Sequence, residues 1–246
     1  MTVGLAVGAG YWMTRPVSGP PPTGGHEHSD PDSGAPPVDR WQPLFGDHDL
    51  TGWAVSKDNK HDNWGVEDDV LYTTGAKRNW LLTDREYGDF EVRLEYRLTE
   101  RANSGVGLRA SADGEKTFDG LEVQLIDEAG YGFGKPALPP KELNGTLFGL
   151  APPSGTAAAP LGTWNRLEIS ARGQEIKVKL NDAWVLQADL DHYKDQAAKF
   201  PGVLRDKGRI GLQSHTGRVE FRRLFVRPLA ADAPAEPGGL GGGVGP

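Results

Sequence analysis

No cysteine occurs anywhere in the 246-residue chain. Disulfides, thiolate zinc sites and a cysteine nucleophile are therefore excluded, while the compartment stays open. A basic stripe is missing too. The net charge is −7, so little cationic surface exists to neutralise phosphates, and no nucleic-acid partner is expected. Long helical periodicity is nearly absent. The apolar start, MTVGLAVGAGYWM, falls short of the roughly 20 residues that a bilayer span needs. It resembles the apolar stretch of a secretory signal without a basic leader. Residues 1–13 are read as a remnant of a signal or membrane anchor, the bland alternative being an apolar tail.

What is present divides the chain. Residues 14–40 hold Pro16, Pro20, Pro21, Pro22, Pro31, Pro36 and Pro37 among Gly and Ser. Such a segment cannot bury enough apolar surface to offset its ordering entropy, so it reads as a linker. Its His26-Glu27-His28 is more often a solvated polar run than a metal site. Residues 230–246, rich in Gly, Pro and Ala, read the same way. The folded domain is then 41–229, and an extracytoplasmic location is expected.

Inside it the strand period dominates. In DFEVRLEYRL, Phe90, Val92, Leu94, Tyr96 and Leu98 share one face, and Glu91, Arg93, Glu95 and Arg97 the other, which predicts a half-buried antiparallel strand. RLEISAR and EIKVKL alternate likewise around a turn at Arg172-Gly173-Gln174, and Asn181-Asp182 predicts the next turn. Residues 191–200 hold a helical turn at most, stopped by Pro201. About a dozen short strands, GTLFGL among them, separated by turns and without intervening helices predict an all-β jelly-roll sandwich of two antiparallel sheets, concanavalin- or laminarinase-like.

LEVQLID, residues 121–127, is the stretch that points to chemistry. Leu121, Val123 and Leu125 face one way and Glu122 and Gln124 the other. Strict alternation would bury Asp127, and an unpaired buried carboxylate costs several kcal/mol. A β-bulge near Leu125-Ile126 would return Asp127 to the side of Glu122 and Gln124. In RANSGVGLRAS, Asn103 opens a strand whose Gly105, Gly107 and Arg109 share a face, an open shelf beside a cation. His215 ends GRIGLQSH as a candidate acid or base. Trp64 and Trp80 are candidate sugar platforms, whereas Trp164 and Trp184 are expected in the core. Taken singly, each of these residues has a structural reading at least as common as the functional one.

In order, WQPLFGDHDLTGWAV, WGVEDDVLYT, GDFEVRLEYRLTERANSGVGLRA, GLEVQLID, GTLFGLAPPS, LGTWNRLEI, LNDAWV and GRIGLQSHTGRVEFRRLFVRPL resemble the 3-keto-disaccharide hydrolase domain family. The resemblance covers about 41–229. It implies a concanavalin-like jelly roll, export from a bacterial cell, and 3-keto-glucoside 1,2-lyase or hydratase chemistry on sugars oxidised at C3. Gly46-Asp47 stands where the family has Asn-Gly, and Ser214 where it has an Asp before the late histidine. That second change removes a carboxylate able to orient His215 or to bind a metal.

Such chemistry needs a base for the C2 proton, donors for the enolate and an acid for the leaving oxygen. The candidates are Glu122 or His215 as base, Asp127 as second acid/base, and Asn103, Arg109, Gln124 and Trp64 as substrate binders. No spacing typical of metal ligands is legible, so no cofactor is expected, with a divalent ion left open. The expected partner is a carbohydrate substrate, with a membrane tether through the apolar start. The rival readings are a non-catalytic carbohydrate-binding sandwich, a retaining glycosidase with two close carboxylates, and a structural surface module.

Overall fold

The computed structural model describes residues 39–46, 48–56, 62–111, 118–131 and 137–230. The apolar start, nearly all of the Pro-rich linker with His26-Glu27-His28, Asp47 and the end of the chain from 231 lie outside them. Among the described residues the strands are β1 (Gln42–Pro43), β2 (Trp53–Val55), β3 (Trp64–Glu67), β4 (Val70–Thr73), β5 (Asn79–Tyr87), β6 (Phe90–Leu98), β7 (Asn103–Ala110), β8 (Leu121–Ile126), β9 (Asn165–Arg172), β10 (Glu175–Leu180), β11 (Ala183–Asp189), β12 (Gly208–Ser214) and β13 (Val219–Pro228). They form two antiparallel sheets. One runs β11-β10-β9-β6-β13-β4-β3, with β1 beside β13; the other runs β2-β5-β12-β7-β8. This is the expected jelly-roll sandwich.

Alternation decides which faces meet. Phe90, Val92, Leu94, Tyr96 and Leu98 of β6 are all buried against the second sheet. Each large apolar side chain taken out of water contributes about 1.5–3 kcal/mol. The outward residues of β6 form ion pairs with β13: Glu91 with Arg227, Glu95 with Arg222, Arg97 with Glu220. Such surface pairs contribute at most about 1 kcal/mol each, so the inner faces carry the fold.

The hairpins turn where short polar residues tolerate a left-handed backbone. Gly173 has φ +49°, Asn181 and Asp182 have 46° and 72°, and Asp68 and Asp69 have 50° and 61°. Paired positive values match the right-handed twist of the strands they join. A 3-10 turn at Leu190–Gln196 gives way to a second at Pro201–Leu204.

Three expectations are corrected. GTLFGL is not a strand of its own. Leu147 bridges to Val123 and Ala151, and the segment docks on β8, where Phe148 and Gly145 N–H donate to the Glu122 and Gln124 carbonyls at 2.8 and 2.9 Å. Trp164 is outside the core because the next residue, Asn165, faces inward; its ring lies 4.7 Å from the Arg97 guanidinium and 4.1 Å from that of Arg222. Trp184 is 61% exposed, because a register irregularity between β10 and β11 turns both Val185 and Leu186 inward.

Candidate active site

The outer face of the five-stranded sheet gathers most of the candidate residues. β7 and β8 pair in unbroken register: Gly107 opposite Glu122, Gly105 opposite Gln124, Asn103 opposite Ile126. Leu121, Val123 and Leu125 enter the core, and Glu122 and Gln124 take the opposite face. The expected bulge at Leu125-Ile126 is therefore absent. Asp127 escapes the core by another route. The strand stops at Ile126, and a single helical turn, α1 (Glu128–Tyr131), follows. The Asp127 carboxylate caps that turn, accepting from Gly130 N–H at 3.1 Å and from Arg101 N–H at 2.8 Å. Both oxygens are committed to backbone, and no distortion brings them beside Glu122 and Gln124.

A bulge does exist, one strand over. Between Arg209–Ala110 and Gly211–Gly107, β7 carries two residues, Leu108 and Arg109, against one on β12. Arg109 takes φ 54° there, a left-handed conformation that costs about 1–2 kcal/mol outside glycine. The extra residue removes Arg109 from the face of Gly105 and Gly107, which corrects the expected shelf beside a cation. Its side chain is fully buried and donates to the Arg205 carbonyl at 2.7 Å and the Gly173 carbonyl at 2.6 Å. Burial pulls its pKa down, against the opposing pull of Asp89 and Asp206. Arg109 thus ties a loop beside one sheet to a hairpin of the other.

Glu122 is the titratable centre of the face. Its carboxyl lies across β7: a Cβ placed on Gly105 would sit 2.2 Å from Glu122 Oε1. Glycine at 105 is required for that approach. Burial pushes the Glu122 pKa up to about 8, against a hydrogen bond from Gln213 that favours the charged form. As placed, the Gln124 amide donates only a long 3.4 Å contact to Asn103 Oδ1. Turned about, it donates to Glu122 Oε1 at 3.1 Å and to the Ser104 carbonyl at 3.2 Å, the better-satisfied orientation. Asn103 and Gln124 are themselves buried.

Unpartnered polar atoms surround this group. Gln213 Oε1, Thr146 Oγ1 and His215 Nδ1 are all buried without a hydrogen-bond partner. Each such atom costs about 1–3 kcal/mol, and together they mark a place where a ligand or water completes the bonding. His215 follows β12, whose continuation bridges Asn103 through Thr216. Its ring meets Tyr131 of α1 edge-on, with centroids 6.4 Å apart. Burial, then nearby Arg78, pulls the His215 pKa below its ordinary value. Ser214 faces away from it. The Ser214 hydroxyl is fully buried, accepting from Asn63 Nδ2 at 2.7 Å and lying 2.6 Å from Thr73 Oγ1.

The aromatic platform is reassigned. Trp64 is buried in the core, its indole N–H donating to Asn79 Oδ1 at 3.0 Å, so it offers no face to a sugar. Trp80 stands on the site face instead and stacks on Phe118 with ring centroids 3.7 Å apart. Phe118 also covers Gly107, where an added Cβ would meet its ring at 2.8 Å. The shelf expected over the two glycines is filled by Glu122 at one and Phe118 at the other. Gln213, Thr146 and Phe118 went unrecognised in the sequence. Only Gln213 carried a signal, since alternation in GRIGLQS sets it outward beside Gly211.

Known proteins resemble this chain in sequence and fold. The family model described as 3-keto-alpha-glucoside-1,2-lyase-like domain matches residues 40–227. A 3-keto-disaccharide hydrolase of Bacteroides thetaiotaomicron is 24% identical over 230 residues, 78% of this chain and 79% of the relative. A Parabacteroides distasonis protein assigned to the glycosyl hydrolases superposes with TM-score 0.69 at 22% identity, covering 77% of this chain and 94% of that one. A second from the same organism gives TM-score 0.66 at 26% identity, with 78% and 100% covered.

Proposed function

Because the chain belongs to the family of 3-keto-alpha-glucoside-1,2-lyase-like domains, we propose that its five-stranded face cleaves glycosides oxidised at C3. The observation that carries the reading is a carboxyl group, Glu122, with a pKa of about 8 among unpartnered polar atoms. At pH 7 such a group keeps its proton in about nine molecules of ten. It therefore suits the acid better than the base. His215, with its pKa drawn down, is neutral at that pH and suits the base.

The steps balance as an elimination followed by addition of water. The C3 ketone acidifies the C2 proton, which His215 removes; the electron pair moves into an enolate at the C3 oxygen. The Thr146 hydroxyl, without a partner in the fold, is the donor available to that oxygen. Collapse of the enolate breaks the C1–O bond, and the Glu122 proton goes to the departing oxygen. Water then adds across the C1–C2 double bond, giving net hydrolysis. The retaining alternative needs a second free carboxylate opposite Glu122, whereas Asp127 is held by two backbone amides. An extracytoplasmic setting belongs to the same proposal.

The test is release of the aglycone from a 3-keto-glucoside beside its unoxidised parent. Wild type turns over only the oxidised sugar, and Glu122→Gln slows that turnover by about 10²–10⁴-fold, the usual weight of a general acid. Equal rates in the two proteins would remove Glu122 from the chemistry.

A further inference from the structure

A second cleft, of about 220 Å³, opens behind α1, between the end of β8 and the loop at 156–163. It is separate from the face that carries Glu122: Tyr131 of α1 touches His215, whereas Glu128 lines the cleft. Tyr96 lines it as well. Its side chain is fully buried, and its hydroxyl has no hydrogen-bond partner. An unpaired hydroxyl in the interior of a stable sandwich is costly. Glu128 is held in place from one side, Oε1 accepting from Asn144 N–H at 3.0 Å and Nδ2 at 3.2 Å. Its Oε2 takes no hydrogen bond among the described residues. The remaining wall is mixed, with Leu98, Ile126 and Pro160 beside Asn144, Thr156, Thr163 and Asn165.

The chemistry of this lining selects its occupant. Asp127 and Glu128 contribute negative charge, and no lysine, arginine or histidine lines the cleft, so anions are repelled. A ligand must accept from or donate to a neutral phenol, donate to a carboxylate, and rest carbon–hydrogen faces on aliphatic walls. A neutral sugar ring does all three. The volume is below that of drug-sized pockets and suits one ring rather than a chain. We infer that this cleft is a non-catalytic site for a single neutral saccharide unit, held by the Tyr96 hydroxyl and the Glu128 carboxylate.

The inference stands apart from the reaction proposed above, and its test uses unoxidised sugar so that turnover plays no part. D-glucose and methyl α-D-glucoside are titrated into the full chain by calorimetry, with saturation-transfer NMR to show which ring protons touch protein. Tyr96→Phe removes only the hydroxyl and should leave the melting temperature unchanged or raised. Ala158→Trp, at the exposed rim, fills the opening. Both should weaken binding by about tenfold or more, the worth of one good hydrogen bond or its steric equivalent, while Glu122→Gln binds as wild type does. Three results would overturn the inference: no binding of either sugar, binding untouched by Tyr96→Phe and Ala158→Trp, or binding lost in Glu122→Gln alone.

Discussion

At the scale of single residues, Glu122 ties the candidate site to stability. Its pKa in the folded protein is about 8, against 4.5 for an ordinary glutamate. The folded state holds a proton that the unfolded chain releases between those values. As far as this residue goes, stability is greatest below the lower value, declines as pH rises through the interval, and levels off above the higher one. The full shift, discounted for partial solvent access, corresponds to about 2–4 kcal/mol. Glu122→Gln should therefore stabilise the protein by that amount at pH 9 and by almost nothing at pH 4, read from urea unfolding at both values. An equal effect at the two pH values would show that the carboxyl is not held neutral.

At the scale of elements, the pair β7–β8 shows what a sequence reveals and what it hides. Periodicity told inward from outward residues in β6, β8 and β12, because a half-buried strand must alternate. It could not tell which strand is distorted. A carboxylate at 127 must avoid the core, and ending the strand satisfies that need as well as a bulge does. Arg109, in contrast, sits in an alternation that looks regular until its left-handed backbone is seen. Trp64 lies in an alternating run and Trp80 in a continuous apolar one, and only the pairing of β3 and β5 with their neighbours decides which indole faces the site. Gly105 gives the sharpest test here. Gly105→Ala places a methyl 2.2 Å from Glu122 Oε1 and 2.7 Å from its Cγ, so the Glu122 side chain as a whole swings aside before the backbone moves. The expected result is a stability loss of only about 1 kcal/mol with most of the turnover gone, measured by thermal melts beside aglycone release. A variant that kept full activity would show that the carboxyl works from another position.

At the scale of the whole molecule, packing and the buried Arg109 cation join the two sheets among the described residues. Arg109 links the Arg205 and Gly173 carbonyls, and Arg205 in turn donates to the Arg109 carbonyl at 3.0 Å. Arg109→Met keeps the aliphatic bulk but leaves both carbonyls without this donor. A loss of about 2–4 kcal/mol is expected, visible as a lower urea midpoint, with the pH profile of turnover unchanged because Arg109 is off the site face. A shifted profile would instead return it to the substrate. The docking of Gly145–Phe148 along β8 has a consequence for crowded solutions. A strand at the edge of a sheet would otherwise offer its backbone donors and acceptors to any passing chain. With that margin already occupied, lateral growth from this side must first peel away a segment anchored in the core by Leu147. The molecule is thereby guarded against fibril formation along the margin of its five-stranded sheet.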